Sequence, residues 1–303
     1  MATLAAAGEV VYVERPTEVS LIEAVADADA LVVRTYVTVT RRVIEAAKRL
    51  RVIGRGGVGL DNIDLAAARD HAVTVVYTPA ASTHAVADLT IGLILAVQRK
   101  VAKLDQWIRT QDFRALRKAV ELTPELRHQT IGIVGMGRIG SEVARRAAMG
   151  FGSRVIYNDI RAVGPFPFPA SAGTRDQVLA SADVVTMHVP LTALTRGMID
   201  AGALRRMRRS AILINTSRGP VVDGADLAAA LHAGRIAGAG IDVYDPEPPP
   251  PDHPLLTAPN CVLTPHVASR SREGIANMND VVHDVVAVLE GRAPRWPADL
   301  SNV

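Results

Sequence analysis

Apolar positions along the chain gather into short β-branched runs separated by stretches with helical spacing. Near the N-terminus the runs Val10–Val13, Ala30–Val33, Arg51–Ile53 and Val73–Val76 predict strands, with helices predicted between them at Leu21–Ala26 and Thr40–Leu50. Strands that alternate with helices predict a parallel α/β sheet, because parallel neighbours need a crossover on one face. A second and stronger series follows at Thr130–Gly135, Arg154–Asn158, Val184–Met187, Ala211–Asn215, Ala237–Ile241 and Cys261–Leu263. Six strands in one series predict a doubly wound sheet.

Between the two series, Ala85–Val101 is apolar at helical spacing and too long for a strand. It is expected to carry the chain from one domain to the other, with a hinge at the turn-forming Pro79–Ser82. The last helical pattern, about Arg272–Glu290, places Ile275, Met278, Val282, Val285 and Leu289 on one face and is expected to cross back. The chain is therefore read as a discontinuous first domain, residues 1–81 with 271–303, around an inserted domain of residues 82–270. Strand signals resume after Pro246–Pro251, so that run reads as a stiff loop.

A length of 303 residues fits two domains of about 150 residues each. No apolar run reaches the roughly 18 to 20 residues that span a bilayer, and the N-terminus lacks the basic start of a secretory signal, so no membrane partner and a cytoplasmic location are expected. The 34 basic residues are nearly matched by 31 acidic ones and spread along the chain, which argues against a nucleic-acid surface. The densest cluster, Arg205, Arg206, Arg208 and Arg209, reads as a solvated helix end. A single cysteine, Cys261, excludes an intramolecular disulfide and a cysteine metal cage; its apolar neighbours place it in a buried strand, and no metal site is expected.

The sharpest local signal is TIGIVGMGRIG, a buried-strand pattern that runs into Gly135, Gly137 and Gly140 and then into a helical stretch from Ser141 to Ala148. In that context Gly135 permits a tight turn, Gly137 leaves room for a pyrophosphate, Gly140 lets helix and sheet approach, and the N–H groups of Arg138 and Ile139 face the anion. This is the phosphate turn of a Rossmann nucleotide domain. Asp159 ends the next strand, about twenty residues on, where a carboxylate accepts hydrogen bonds from a ribose and repels a 2′-phosphate. NAD is favoured over NADP, with Arg161 and Arg154 keeping the phosphorylated form in view.

Three further segments end predicted strands: ILINTSRGPVVD at 212–223, GAGIDVYDPEPP at 238–249 and LTPHVAS at 263–269. Ligands bind open α/β sheets at this edge. The segments supply Arg218, Glu247 and His266: a fork for a carboxylate, an acid and a titrating base. Reduction of a 2-keto acid needs a fixed cation for the developing oxyanion and a proton donor, and a carboxylate beside an imidazole favours its protonated form.

With VIGRGGVGLDNIDLAAA at 52–68, HAVADLTIGLILA at 84–96 and MHVPLT at 187–192, the chain resembles the D-2-hydroxyacid dehydrogenase family, most closely its D-3-phosphoglycerate dehydrogenase-like branch, from about Ala28 to Pro294. The resemblance implies a nucleotide domain inserted in a smaller flavodoxin-like α/β substrate domain. It implies that Arg218 binds the substrate carboxylate and keto oxygen, that His266 is the acid/base and that Glu247 pairs with it. It places the amides of the Gly56–Gly59 turn, with Gly57 and Val58, on the carboxylate, Asp242 at the nicotinamide carboxamide, and Pro190 and Thr216 along the cofactor.

Three departures from the family pattern stand out. The family pattern leads to the expectation of a first strand and helix, about two dozen residues by average element lengths, before Gly8–Val13, so either the first domain's sheet is altered there or the true start lies upstream; Asp88 replaces Glu and Ala268 replaces Gly. No regulatory extension is expected after Val303. Arg55 and Arg34 resemble positions that favour a phosphorylated substrate, so 3-phosphoglycerate leads, with glyoxylate or hydroxypyruvate next. A non-catalytic NAD-responsive scaffold of the same fold is the alternative from another class. Apolar residues in Ala85–Val101 and around Trp107–Phe113 lead to the expectation of a homodimer with an isologous interface.

Overall fold

The computed structural model describes residues 2–301; the expected domain ends at Met1 and Val303 lie outside them. Two compact units form. One comprises the chain up to Ser82 together with the segment from Arg270 onward, and the other is Thr83–Ser269.

The first unit holds a parallel sheet of β1 (Ala30–Val33), β2 (Val52–Arg55) and β3 (Thr74–Tyr77), paired in that order. β2 is central and buried throughout, as a strand covered on both faces must be. On one face Val43, Ile44, Ala67 and Ala68 pack against the sheet, and on the other Val281 and Val285 cover Val52 and Val76. A Cβ on Gly54 would stand 2.4 Å from a Val285 methyl, so the strand yields its side chain there to the covering helix. The outer edge of β3 is met by the C-terminal segment, where Tyr77 donates to the Trp296 carbonyl and Ala298 to that of Val75.

Two expectations fail in this unit. Val10–Val13 forms no strand: Val11 and Tyr12 are largely exposed and no ladder pairs with the segment. β-propensity reports how well a residue fits a half-buried pleated surface, and without a neighbouring strand it has nothing to act on. The single helix expected over Arg272–Glu290 is two, Arg272–Asn279 and Val281–Leu289, interrupted at Asp280. The apolar periodicity crosses the break, and the second of the two helices packs on the sheet through Val281 and Val285.

The second unit is a seven-stranded, all-parallel sheet: β4 (Thr130–Val134), β5 (Arg154–Asn158), β6 (Ser171–Ala172), β7 (Val184–Met187), β8 (Ile212–Asn215), β9 (Gly238–Ile241) and β10 (Cys261–Leu263). Their spatial order is β10-β9-β8-β7-β4-β5-β6, so the chain reverses direction across the sheet between β4 and β7. That is the doubly wound arrangement, with its ligand crevice at the switch point. β6 escaped the sequence reading because two exposed residues carry no apolar pattern.

Helices cover both faces of this sheet and close two cores, one around Leu179, Met187, Leu204 and Leu213, the other around Ile94, Ile131, Ile133 and Ile214. The helix expected at Ala85–Val101 spans Thr83–Gln98, and after Lys100 at φ 54° a second helix, Val101–Ile108, begins. No described helix is long and apolar enough to cross a membrane.

Candidate active site

One sheet edge in the second unit carries the glycine turn after β4, the end of β5, and the loops after β7, β8, β9 and β10. Gly135 has φ +92°, a conformation other residues rarely adopt, and a Cβ there would stand 2.5 Å from the His188 carbonyl oxygen. A Cβ on Gly140 would lie 2.0 Å from the Gly135 carbonyl oxygen, whereas nothing lies within 4 Å of one on Gly137. Strand, turn and helix therefore close on one another at two glycines and stay open at the third. Gly137 precedes the helix Arg138–Arg145, so the N–H groups of Arg138 and Ile139 head it without intrahelical acceptors. The shape and the donor set fit a dinucleotide pyrophosphate.

Asp159 follows β5 with its side chain 8% exposed. Its carboxylate accepts the N–H groups of Met136 at 2.8 Å and Arg161 at 3.0 Å, tying the glycine turn to the strand end. Beside it opens a cleft of about 510 Å³ lined by Tyr157, Asp159, Ile160, Arg161 and Gly173, a place for an adenosine. Arg154 is engaged elsewhere, donating to Thr130 Oγ1 at 3.1 Å. Pro190 is exposed beyond β7, its carbonyl accepting the Thr195 hydroxyl. Thr216 is buried and shares a hydrogen bond with Thr90 at 2.9 Å, which anchors the start of the β8 loop to the helix Thr83–Gln98. His188, at the end of β7, sits against Thr186 Oγ1, and burial pushes its imidazole down to about 3, so it is neutral.

The loops after β8, β9 and β10 bring the three predicted reactive residues to neighbouring strand ends. His266 Nδ1 is hydrogen-bonded to Glu247 Oε1, with the two side chains 18% and 23% exposed. His266 takes φ 52°, a left-handed conformation uncommon outside glycine and asparagine, and such conformations persist only where surroundings impose them. Here Asp242 imposes it. Fully buried at the end of β9, its carboxylate accepts Thr264 Oγ1 at 2.6 Å, Val267 N–H at 2.9 Å and Ala268 N–H at 2.9 Å. The His266 N–H donates to the Asp242 carbonyl at 2.8 Å. Burial raises the Asp242 carboxyl above its ordinary value, against the opposing pull of these hydrogen bonds. The family resemblance implies a cofactor contact for Asp242; the structure adds the fastening of the histidine loop.

Arg218 is half-buried on the β8 loop and donates through Nη1 to the Ser217 carbonyl. Buried Asn215 shapes that loop, donating to the Arg218 carbonyl at 2.9 Å and accepting from Ser217 N–H and Oγ. Asn215, Thr264 and Gly219 escaped the sequence reading as site builders. The available signal was a polar residue at or just after the end of an apolar strand, as in ILIN and VLT. Arg55, Gly57 and Val58 belong to the first unit, at the end of its β2. Arg55 is 5% exposed, its Nη1 donates to the Gly56 carbonyl at 2.8 Å, and Gly57 has φ +148°. Among the described residues no cluster of histidine, cysteine and acidic side chains could hold a metal.

Residues 91–268 match the family described as D-isomer specific 2-hydroxyacid dehydrogenase, NAD binding domain. A glyoxylate reductase of Korarchaeum cryptofilum is 42% identical over 285 residues, covering 92% of this chain and 85% of that protein. A D-3-phosphoglycerate dehydrogenase of Archaeoglobus fulgidus is 38% identical over 93% of this chain, which spans 54% of its length. The crystal structure of an NADPH-dependent glyoxylate/hydroxypyruvate reductase from Sinorhizobium meliloti, in complex with NADP and malonate, superposes with a TM-score of 0.85 at 33% identity, covering 96% of this chain and 90% of that one. The chain belongs to the D-2-hydroxyacid dehydrogenase family, and its second unit contains that family's NAD-binding domain.

Proposed function

We propose that the protein interconverts 2-keto acids and D-2-hydroxy acids with NAD(H), using Arg218, Glu247 and His266. One observation carries the reading: an imidazole–carboxylate pair and an arginine are held on adjacent strand ends by buried polar groups, on the same sheet edge as an open glycine turn. The nicotinamide, when bound, supplies or accepts the hydride. Arg218 holds the substrate carboxylate and neutralises charge growing on the keto oxygen. His266 delivers the proton from Nε2, since Nδ1 faces Glu247, and Glu247 fixes the orientation of the ring. Gly135, Gly137, Arg138, Ile139, Gly140, Asp159, Pro190, Thr216 and Asp242 form the cofactor surface. The acid at Asp159 favours NAD over NADP.

The substrate proposed first is 3-phosphoglycerate, bound through its carboxylate at the Gly57 and Val58 amides and through its phosphate at arginines of the first unit. Arg55 lies against the Gly56–Gly57 turn, and a Cβ on Gly56 would stand 3.9 Å from Arg34 Cγ. The Arg34 guanidinium is held below its ordinary value by burial and by the Arg270 charge, as expected where cations gather for an anion. Glyoxylate or hydroxypyruvate is the second reading, favoured by the name of the Korarchaeum cryptofilum relative, 85% of whose length the chain covers. NADH oxidation with 3-phosphohydroxypyruvate, hydroxypyruvate and glyoxylate decides: the first should give the highest kcat/KM, and Arg55→Gln should weaken it selectively. Equal loss for all three would remove the phosphate assignment. NADH binding without turnover of any would favour the scaffold.

The protein is further proposed to act as a cytoplasmic homodimer. Val101, Ile108, Phe113, Val120 and Leu122 are exposed on or beside the helices Val101–Ile108 and Phe113–Ala119. Light scattering should return twice the 32.2 kDa chain mass.

A further inference from the structure

The loop that carries Glu247 rests on two buried rings. His253 is 6% exposed and lies edge-on to Tyr244, with ring centroids 6.0 Å apart and planes at 89°. Its Nδ1 accepts the Leu255 N–H at 3.3 Å, so the other ring nitrogen carries the proton, and Nε2 donates it to the Asp245 carbonyl at 3.3 Å. The ring thus ties the chain two residues before Glu247 to the turn at Pro254–Leu256.

Tyr244 reaches the other two loops. Its hydroxyl donates to the Thr264 carbonyl at 3.0 Å, two residues before His266, and burial pushes the phenol up to about 12, which keeps it a donor. A Cβ on Gly219 would stand 1.8 Å from the Tyr244 carbonyl oxygen, so the segment after Arg218 lies directly on this backbone. Beneath the loops, Asn215, Gly219, Tyr244 and His253 line a space of only about 10 Å³.

From this we infer that Tyr244 and His253 are positioning residues that set the Glu247–His266 pair against Arg218. Apolar packing would need neither hydrogen bond, yet each is aimed at a carbonyl two residues from a reactive side chain. The inference rests on the roles proposed above for Arg218, Glu247 and His266.

The test uses the full chain, NADH and the best keto acid of the three-member panel, with NADH affinity read separately by fluorescence. Tyr244→Phe keeps the ring and should lower kcat about tenfold, the loss of one hydrogen bond, with NADH affinity unchanged. His253→Leu should lower kcat further, and His253→Gln, whose amide can still donate to the Asp245 carbonyl, should recover most of that loss. If His253→Leu does not fold, Tyr244→Phe decides alone. Parental kcat in Tyr244→Phe, or equal losses in the Leu and Gln variants accompanied by weakened NADH binding, would overturn the inference. His266→Gln is run in parallel. Should it keep parental turnover, the site reading fails and the inference with it; should it be inactive while the Tyr244 and His253 variants turn over normally, the inference alone fails.

Discussion

At the β4–β5 end of the large sheet the binding surface is shaped by side chains that are missing. Gly135 and Gly140 let backbone meet backbone, and Gly137 leaves space at a helix N-terminus. At the β8–β10 end the surface is shaped by side chains that are pinned: Asn215 fastens the Arg218 loop, and Asp242 fastens the His266 loop. A diphosphate needs only shape and N–H donors, which the backbone provides. Proton transfer needs side-chain atoms placed within hydrogen-bond reach, and those require a supporting set of partners. The two ends should therefore respond differently to substitution.

The sharpest break between them is expected from His266→Gln or Arg218→Gln. Each should lower kcat on the order of 10³-fold, about 4 kcal/mol of transition-state stabilisation, while NADH affinity measured by fluorescence stays near parental. Weakened NADH binding with little change in kcat would show that the residue serves the other end. Conversely, Gly140→Ala forces a Cβ to 2.0 Å from the Gly135 carbonyl oxygen and should cost about 3 kcal/mol in denaturant unfolding and impair NADH binding.

Asp242→Asn tests the pinning. An amide has one acceptor oxygen, so its NH2 would oppose either the Ala268 N–H or the Val267 and Thr264 donors. A loss of about 2 kcal/mol in stability together with a drop in kcat is expected. Unchanged turnover would free the histidine loop from this carboxylate.

Asp159→Ala should narrow the preference for NADH over NADPH by roughly tenfold, about 1.4 kcal/mol, in fluorescence titrations with each cofactor. Because the carboxylate also ties Met136 and Arg161, NADH itself should bind somewhat less tightly. Equal affinities for both cofactors in the unmodified protein would remove the assignment.

The smallest effect is expected at Glu142, which lies outside both ends. The Arg145 hydrogen bond, with Arg146 and His84 nearby, holds its carboxyl down at about 2. A depressed carboxyl contributes stability that is complete above its unfolded value near 4.5 and is lost as pH falls through about 2. Glu142→Gln should therefore lower stability at neutral pH by about 1 kcal/mol, a difference that shrinks as the pH approaches 2. A difference that does not vary with pH would make the effect one of packing.

Much of this was legible along the chain because the signals are local. β4 reads as a strand from its unbroken apolar run, and Gly135–Gly140 read as a phosphate turn because strand and helix flank them. Arg218, Glu247 and His266 stand out because each follows a strand. Val10–Val13 was misread for the complementary reason: a strand exists only in a ladder, and the partner is not a local property. Asn215, Tyr244 and His253 do not stand out, because a polar or aromatic residue at or near a strand end has many ordinary roles.

By itself, then, the sequence determined which segments become buried parallel strands, where glycine must stand and which reactive residue types sit at strand ends, since periodicity and φ preferences act over a few neighbouring residues. Only the tertiary structure decided that Asp242 reaches across to Thr264, Val267 and Ala268, that His266 is held at a positive φ against Glu247, and that Gly219 lies on the Tyr244 carbonyl. Those contacts join residues nineteen or more positions apart, at or beyond the ends of different strands. Hydrogen-bond direction and close packing between strand ends depend on the three-dimensional register of the sheet, which no local pattern encodes.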